Sequence, residues 1–350
     1  MKILLVLKEE IRRRPPIQSL LADLLTLDID VSLISLDGAS FNENITHYID
    51  EKSKSKNKLI KYYDFRQRVH KVLKNNDFDY IWFCSLDSYL PLLYSKHVTA
   101  AKVILQLQEL YDRFKGRLNL IRPNAKMFKA ILVPEYNRAH ILKVWLDLDY
   151  VPFVLPNKPS DTILENVLNT NRIDAQQTEL IKDNGKIRII YQGHIDSDRS
   201  LLDIARICNS YHDDVELYLL GKEHNNYLSK IKQINPNVIY LGWVNPPEHL
   251  YVTREMDIGI LEYKHIDLNN VFCAPNKIWE YTAFGMPVIS NDLPGVSMLI
   301  EKYDIGMIYR NFEDFELKLC DLIKNFNKYR TNAEQFYKSV DRVAIINEII

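Results

Sequence analysis

Short runs of Ile, Leu and Val recur along the whole chain, as in Ile3-Leu4-Leu5-Val6-Leu7 and Ile187-Arg188-Ile189-Ile190-Tyr191, and they alternate with stretches of helical period. Strands that are apolar on both faces, separated by helices, predict α/β layers built on parallel sheets. In the first half the pattern predicts strands at 2–7, 30–35, 80–84, 103–106, 130–133 and 151–155, with helices such as 17–27 and 65–75 between them. Residues 42–61 have no clear period and read as an exposed loop. Pro156-Asn157-Lys158-Pro159 and the polar stretch after it read as a linker carrying one amphipathic helix. The pattern then restarts, with strands expected at 186–192, 215–220, 238–241, 257–261, 287–290 and 306–309 and helices near 200–210, 225–234, 248–256 and 276–284. The expected organisation is therefore a first domain over 1–157, a linker over 158–185 and a second domain over 186–350. The helices from Phe312 onward are expected to pack on the second domain, with a return to the first as the alternative. Ligands of such doubly wound sheets bind beyond the carboxyl ends of the strands, which makes a cleft between two facing domains the expected site.

Composition changes this picture little. Hydrophobic residues at 47% and charged residues at 26% of 350 exclude a disordered or fibrous chain. The net charge of −1 hides an asymmetry: residues 1–150 hold 24 Lys/Arg against 18 Asp/Glu, leaving 21 against 28 in the remainder. A basic first half favours a partner with anionic groups, either a membrane surface or a lipid-linked diphosphate. The Lys-rich stretch Glu51–Lys58 reads either as a solvated loop or as a contact for such a surface. Cys84, Cys208, Cys273 and Cys320 lack metal-site spacing and read as thiols of a reducing compartment. The first apolar run is too short for a signal segment and no run is long enough to span a bilayer. The expectation is a cytoplasmic protein whose membrane contact, if any, is peripheral on the inner face.

Candidate chemistry concentrates in the second half. Pro275 suits the start of a helix that Gly285 and Pro287 end, so Asn276 and Lys277 fall in its first turn. A cation there opposes the helix dipole unless an anion lies in front of it, and a diphosphate is such an anion. Glu280 is three residues on, on the same face, where its carboxylate can accept hydrogen bonds from a ribose diol or simply pair with Lys277 in solvent. After strand 186–192 come Gly193, His194 and, with Asp198 as the expected N-cap, Arg199 in a second helix's first turn. Two cations at one sheet edge, with backbone N–H groups, can neutralise a diphosphate without a metal. His194 reads equally as a phosphate donor or a structural hydrogen-bonder. Gly242-Trp243-Val244 can receive a nucleobase, although Trp243 reads as well as core. In the first half, Gln108 and Glu109 follow a strand and would face an acceptor, with Glu109 the candidate base; Glu135 suits a helix start. The glycine pattern contains no dinucleotide-binding fingerprint and no P-loop, no hydrolase or zinc-protease motif occurs, and nucleic-acid motifs are absent.

With these residues in hand, the chain resembles glycosyltransferases of the GT-B fold, of the group that builds bacterial capsule, O-antigen and exopolysaccharide. The resemblance spans nearly the whole chain. It rests on Tyr191-Gln192-Gly193-His194-Ile195 with Arg199, on Gly242-Trp243-Val244, and on Pro275-Asn276-Lys277-Ile278-Trp279-Glu280 with Gly285-Met286-Pro287. Val133-Pro134-Glu135 with Arg138 and Leu155-Pro156-Asn157 look like counterparts in the first half. It implies two Rossmann-like domains facing across a cleft, a nucleotide-sugar donor, expected to be a UDP-sugar, bound mainly by the second domain, and a lipid-linked or oligosaccharide acceptor bound by the first. No cofactor or metal is implied. Carried over, Arg199 stands where a phosphate-binding Lys is common and His194 where an Arg is common. Glu280 matches the ribose-holding second member of a Glu pair spaced eight apart. The first member is Phe272 here, and Gln108-Glu109 replaces a His-Glu. The alternatives are a nucleotide-sugar epimerase of the same fold and a non-catalytic partner subunit.

Overall fold

The computed structural model describes residues 1–36, 45–49, 55–170, 172–181 and 184–350. The chain forms two compact units, Met1–Ser160 with Arg342–Ile350 and the continuous segment Asp161–Asp341. The first unit is a parallel sheet of β1 (Lys2–Val6), β2 (Asp30–Ser35), β3 (Thr46–Ile49), β4 (Tyr80–Phe83), β5 (Val103–Gln106), β6 (Ala130–Val133) and β7 (Phe153–Val154), in the order β3-β2-β1-β4-β5-β6-β7. The second is a parallel sheet of β8 (Ile187–Gln192), β9 (Val215–Leu220), β10 (Ile239–Tyr240), β11 (Ile258–Leu261), β12 (Val288–Asn291) and β13 (Gly306–Tyr309), in the order β10-β9-β8-β11-β12-β13. Each unit is thus a Rossmann-like sheet whose strand order reverses once, between β1 and β4 in the first and between β8 and β11 in the second.

Alternation along the strands explains why they read as continuous apolar runs. Ile190, Tyr218 and Leu220 enter the core on one face of the second sheet, while Ile189, Tyr191, Leu217 and Leu219 enter the core on the other. In the first unit Ile3 and Leu5 are buried with Leu20, Leu24 and Trp82, each buried aliphatic side chain contributing about 1.5–3 kcal/mol. Ile346 and Ile349, from the helix Arg342–Ile349, complete that same core. The helix is tied down by Arg342, whose Nε donates to Asp23 Oδ2 at 2.7 Å, both side chains 3% exposed.

Two expectations are corrected here. Thr46–Ile49, read as loop, is an edge strand parallel to β2, and the following helix starts at Lys58; its Thr, His and Tyr side chains give no apolar run. Residues 42–44 and 50–54 of the basic stretch lie outside the described residues. The helix after β8 begins at Leu201 with Ser200 as its N-cap residue, so Asp198 is not the cap and Arg199 precedes the helix. Asp196 is the reason: its carboxylate accepts from the Asp198 N–H at 2.9 Å and its carbonyl from the Arg199 N–H at 3.2 Å, which commits this segment to a turn. Among the described residues no helix is long and apolar enough to cross a membrane.

Candidate functional site

The carboxyl edge of the second sheet is floored by glycine. Gly193, Gly221 and Gly242 follow β8, β9 and β10, all with positive φ; the Gly193 N–H donates to the Leu220 carbonyl and the Gly221 N–H to the Gly242 carbonyl, each at 2.8 Å. A Cβ on Gly221 would lie 1.8 Å from the Gly193 oxygen, so only glycine permits these turns to interlock. Gly193 in turn leaves room for Lys277: a Cβ there would sit 3.1 Å from the lysine Nζ.

Lys277 lies in the first turn of the helix Asn276–Thr282, which Pro275 precedes as N-cap residue. Its ammonium stands 4.5 Å from the Tyr191 ring centroid and 4.9 Å from that of Tyr263, and the Arg199 guanidinium stands 4.6 Å from the same Tyr263 ring. Two cations therefore contact one tyrosine ring, and among the described residues neither forms an ion pair with a carboxylate. Arg199 Nη1 donates to the Asp198 carbonyl at 3.0 Å, while its Nε is buried without a partner. Burial, and then the neighbouring Arg199, push the Lys277 ammonium down to about 7. The aromatic faces orient these charges without neutralising them, which is the condition for attracting an anion.

Glu280 is buried and bound on both oxygens. His249 Nε2 lies 3.1 Å from Oε1, Gln192 Nε2 donates to Oε2, and the Thr253 hydroxyl donates to Gln192 Oε1 at 2.9 Å. The solvated Lys277–Glu280 pair is therefore excluded, and the carboxylate is fixed in one orientation with lone pairs remaining for a further donor. A second buried carboxylate, Glu262, follows β11 and accepts from the Tyr309 hydroxyl. His194 Nδ1 lies 3.1 Å from His224 Nε2, and burial, followed by His224, lowers the His194 pKa. Trp243 is 53% exposed and donates to Asn245 Oδ1 at 3.2 Å, so it is not core; Val244 packs partly buried against the second unit's core.

The structure thus brings Gly193, His194, Arg199, Asn276, Lys277 and Glu280 to one sheet edge within the second unit. Glu109 belongs to the first unit, where it is half exposed with Oε2 3.9 Å from Arg138 Nη1. Glu135 is an N-cap, accepting from the Asn137 and Arg138 N–H groups at 2.8 and 2.9 Å. Among the described residues no group of three or more His, Cys, Asp or Glu side chains could hold a metal ion. Sequence reading placed Tyr191 and Gln192 in a donor-like segment without giving either a role, and it missed Tyr263, His249, Thr253 and Glu262. Only Tyr263 and Glu262 carried a signal, as polar residues directly after an apolar strand.

Comparison with known proteins follows this geometry. Residues 188–325 match the family model described as Glycosyl transferases group 1. The Bacillus subtilis (strain 168) protein TuaH, named as a teichuronic acid biosynthesis glycosyltransferase, is 37% identical over 107 residues, 31% of this chain and 25% of TuaH. The chain thus spans about a quarter of the length of that curated relative. Among solved structures, sucrose-phosphate synthase from Thermosynechococcus elongatus aligns with a TM-score of 0.70 at 13% identity, covering 100% of this chain and 97% of that one. Anabaena HepE in complex with UDP-glucose aligns with a TM-score of 0.68 at 14% identity, covering 100% and 98%. The match to the glycosyltransferase family model thus lies within the second unit, and the fold of two parallel α/β sheets is the one that these solved structures share.

Proposed function

We propose that the protein transfers a sugar from a nucleoside diphosphate, UDP in the first instance, to a hydroxyl of a lipid-linked or oligosaccharide acceptor in surface-polysaccharide synthesis. The observation that carries this reading is the pair Arg199 and Lys277, two cations over one tyrosine ring with no carboxylate partner among the described residues. In the reaction the bond from the sugar C1 to the diphosphate breaks as the acceptor oxygen bonds to C1. Negative charge grows on the leaving diphosphate, and the two cations stabilise it most at the transition state. Glu280, held by His249 and Gln192, accepts from the ribose diol, and exposed Trp243 stacks on the base. HepE crystallised with UDP-glucose supports this choice of donor nucleotide on the same fold. Glu109 is the candidate acceptor-side base, and the basic first half suits peripheral contact with a membrane bearing the acceptor.

Calorimetric titration with UDP and GDP, without divalent metal, tests the reading. One nucleotide is expected to bind, and Lys277→Ala and Glu280→Ala are each expected to weaken it roughly 10- to 100-fold, the worth of one charge-assisted hydrogen bond. Failure of the folded protein to bind either nucleotide would overturn the donor assignment and favour a non-catalytic subunit, the reading that Phe272 at the first carboxylate position supports.

A further inference from the structure

The first sheet has a reversal point of its own, between β1 and β4, and its carboxyl end is also lined by a lysine over a tyrosine. Lys8 follows β1, with its backbone N–H on Ser88 Oγ at 3.0 Å, which fixes it against the segment after β4. Its ammonium stands 3.2 Å from the Tyr62 ring centroid, and among the described residues it forms no ion pair. Beside it, Asp87 accepts from the Tyr62 hydroxyl at 2.8 Å and from Arg117 Nη2, while Arg117 Nη2 also reaches the Tyr62 hydroxyl at 3.3 Å. Lys8 feels Asp87, Arg117, Glu9 and Lys61, and its pKa is lowered chiefly by burial. Glu9 is bound by Arg14 and Asp87 by Arg117, so among the described residues the two carboxylates that favour the charged Lys8 are each already paired with an arginine, and Lys8 itself is partly buried. This is the arrangement of Lys277 over Tyr191 and Tyr263, repeated at the place where ligands of open α/β sheets bind.

From this juxtaposition we infer that the carboxyl edge of the first unit's sheet at the β1/β4 reversal is an anion site, in which Lys8, assisted by Arg117, holds a phosphoryl group carried by the acceptor. The acceptor assignment rests on the glycosyltransferase reading above; the anion site does not. A neutral sugar brings no charge to the Lys8 ammonium, whereas a phosphoryl oxygen accepts from it in a charge-assisted hydrogen bond. The Asp87 carboxylate favours the charged form of Lys8, but its oxygens accept from Arg117 and the Tyr62 hydroxyl and not from the Lys8 ammonium.

The test titrates the full chain with inorganic pyrophosphate, comparing wild type, Lys8→Met, Lys8→Arg and Lys277→Met. Two binding events are expected in the wild type. Lys8→Met should weaken one at least about tenfold while leaving UDP affinity unchanged, which also reports correct folding; Lys8→Arg should retain it. Lys277→Met should weaken the other event together with UDP binding. A pyrophosphate isotherm of Lys8→Met identical to wild type overturns the site, and UDP binding in the same samples shows whether the donor reading survives. Loss of UDP binding in the wild type with Lys8-dependent pyrophosphate binding intact would remove the donor reading and keep the anion site. Co-sedimentation with phosphatidylcholine vesicles with and without phosphatidylglycerol separates the sources: dependence on Lys8 assigns the phosphoryl to a lipid headgroup, and independence assigns it to a soluble phosphorylated acceptor.

Discussion

On the proposed donor reading, Lys277 should make nucleotide binding sensitive to pH. Its pKa in the free protein lies at about 7, below the ordinary 10.5, because burial and Arg199 disfavour the charged form. Only the ammonium attracts a diphosphate, so affinity for UDP should be greatest below pH 7 and fall as pH rises through that value. A bound diphosphate raises the pKa again, so at about pH 8 binding should take up close to one proton. Titrations in buffers of different ionisation enthalpy measure this uptake. Lys277→Arg, which stays charged, should abolish it, and a wild type without buffer dependence would contradict the depressed pKa. Lys277 and Glu280 were legible because three residues of helix put them on one face. Their partners were not: Gln192 and Glu280 are 88 residues apart, Thr253 and Gln192 are 61 apart, and no local period encodes such contacts.

Interlocked turns after β8, β9 and β10 position the site. Gly221→Ala would drive a Cβ into the Gly193 carbonyl, at φ +149°, and displace the backbone against which Lys277 rests. Unfolding in urea should show a loss of roughly 3 kcal/mol, with UDP binding weakened as well. At Gly242, φ +76° with nothing within 4 Å, the same substitution meets only the left-handed backbone penalty of about 1–2 kcal/mol. Equal denaturation midpoints for the two variants would refute the interlock. Most strands could be read from the chain because parallel strands are buried on both faces and so appear as unbroken apolar runs. The edge strand β3 lacks that burial and its signature. The start of the helix after β8 was misread because an Asp before an amphipathic run signals a cap, and only the Asp196 side chain, bonded two residues on, diverts the backbone into a turn.

Across the whole molecule, the first unit is discontinuous: its sheet comes from Met1–Ser160 and its closing helix from Arg342–Ile350. Arg342→Ala would strip the buried Asp23 of its guanidinium at a cost of about 3–5 kcal/mol. Scanning calorimetry should then show the first unit melting earlier while the second, which lacks this contact, keeps its transition; a uniform shift of both would contradict the assignment. The discontinuity also sets an order of assembly. At translation rates of about 5–20 residues per second, the intervening segment of about 180 residues separates Ser160 from Arg342 by roughly ten to forty seconds. During that interval Leu20, Leu24 and their neighbours lack Ile346 and Ile349, so the nascent first unit waits with an apolar face open to chaperones while the second can fold to completion.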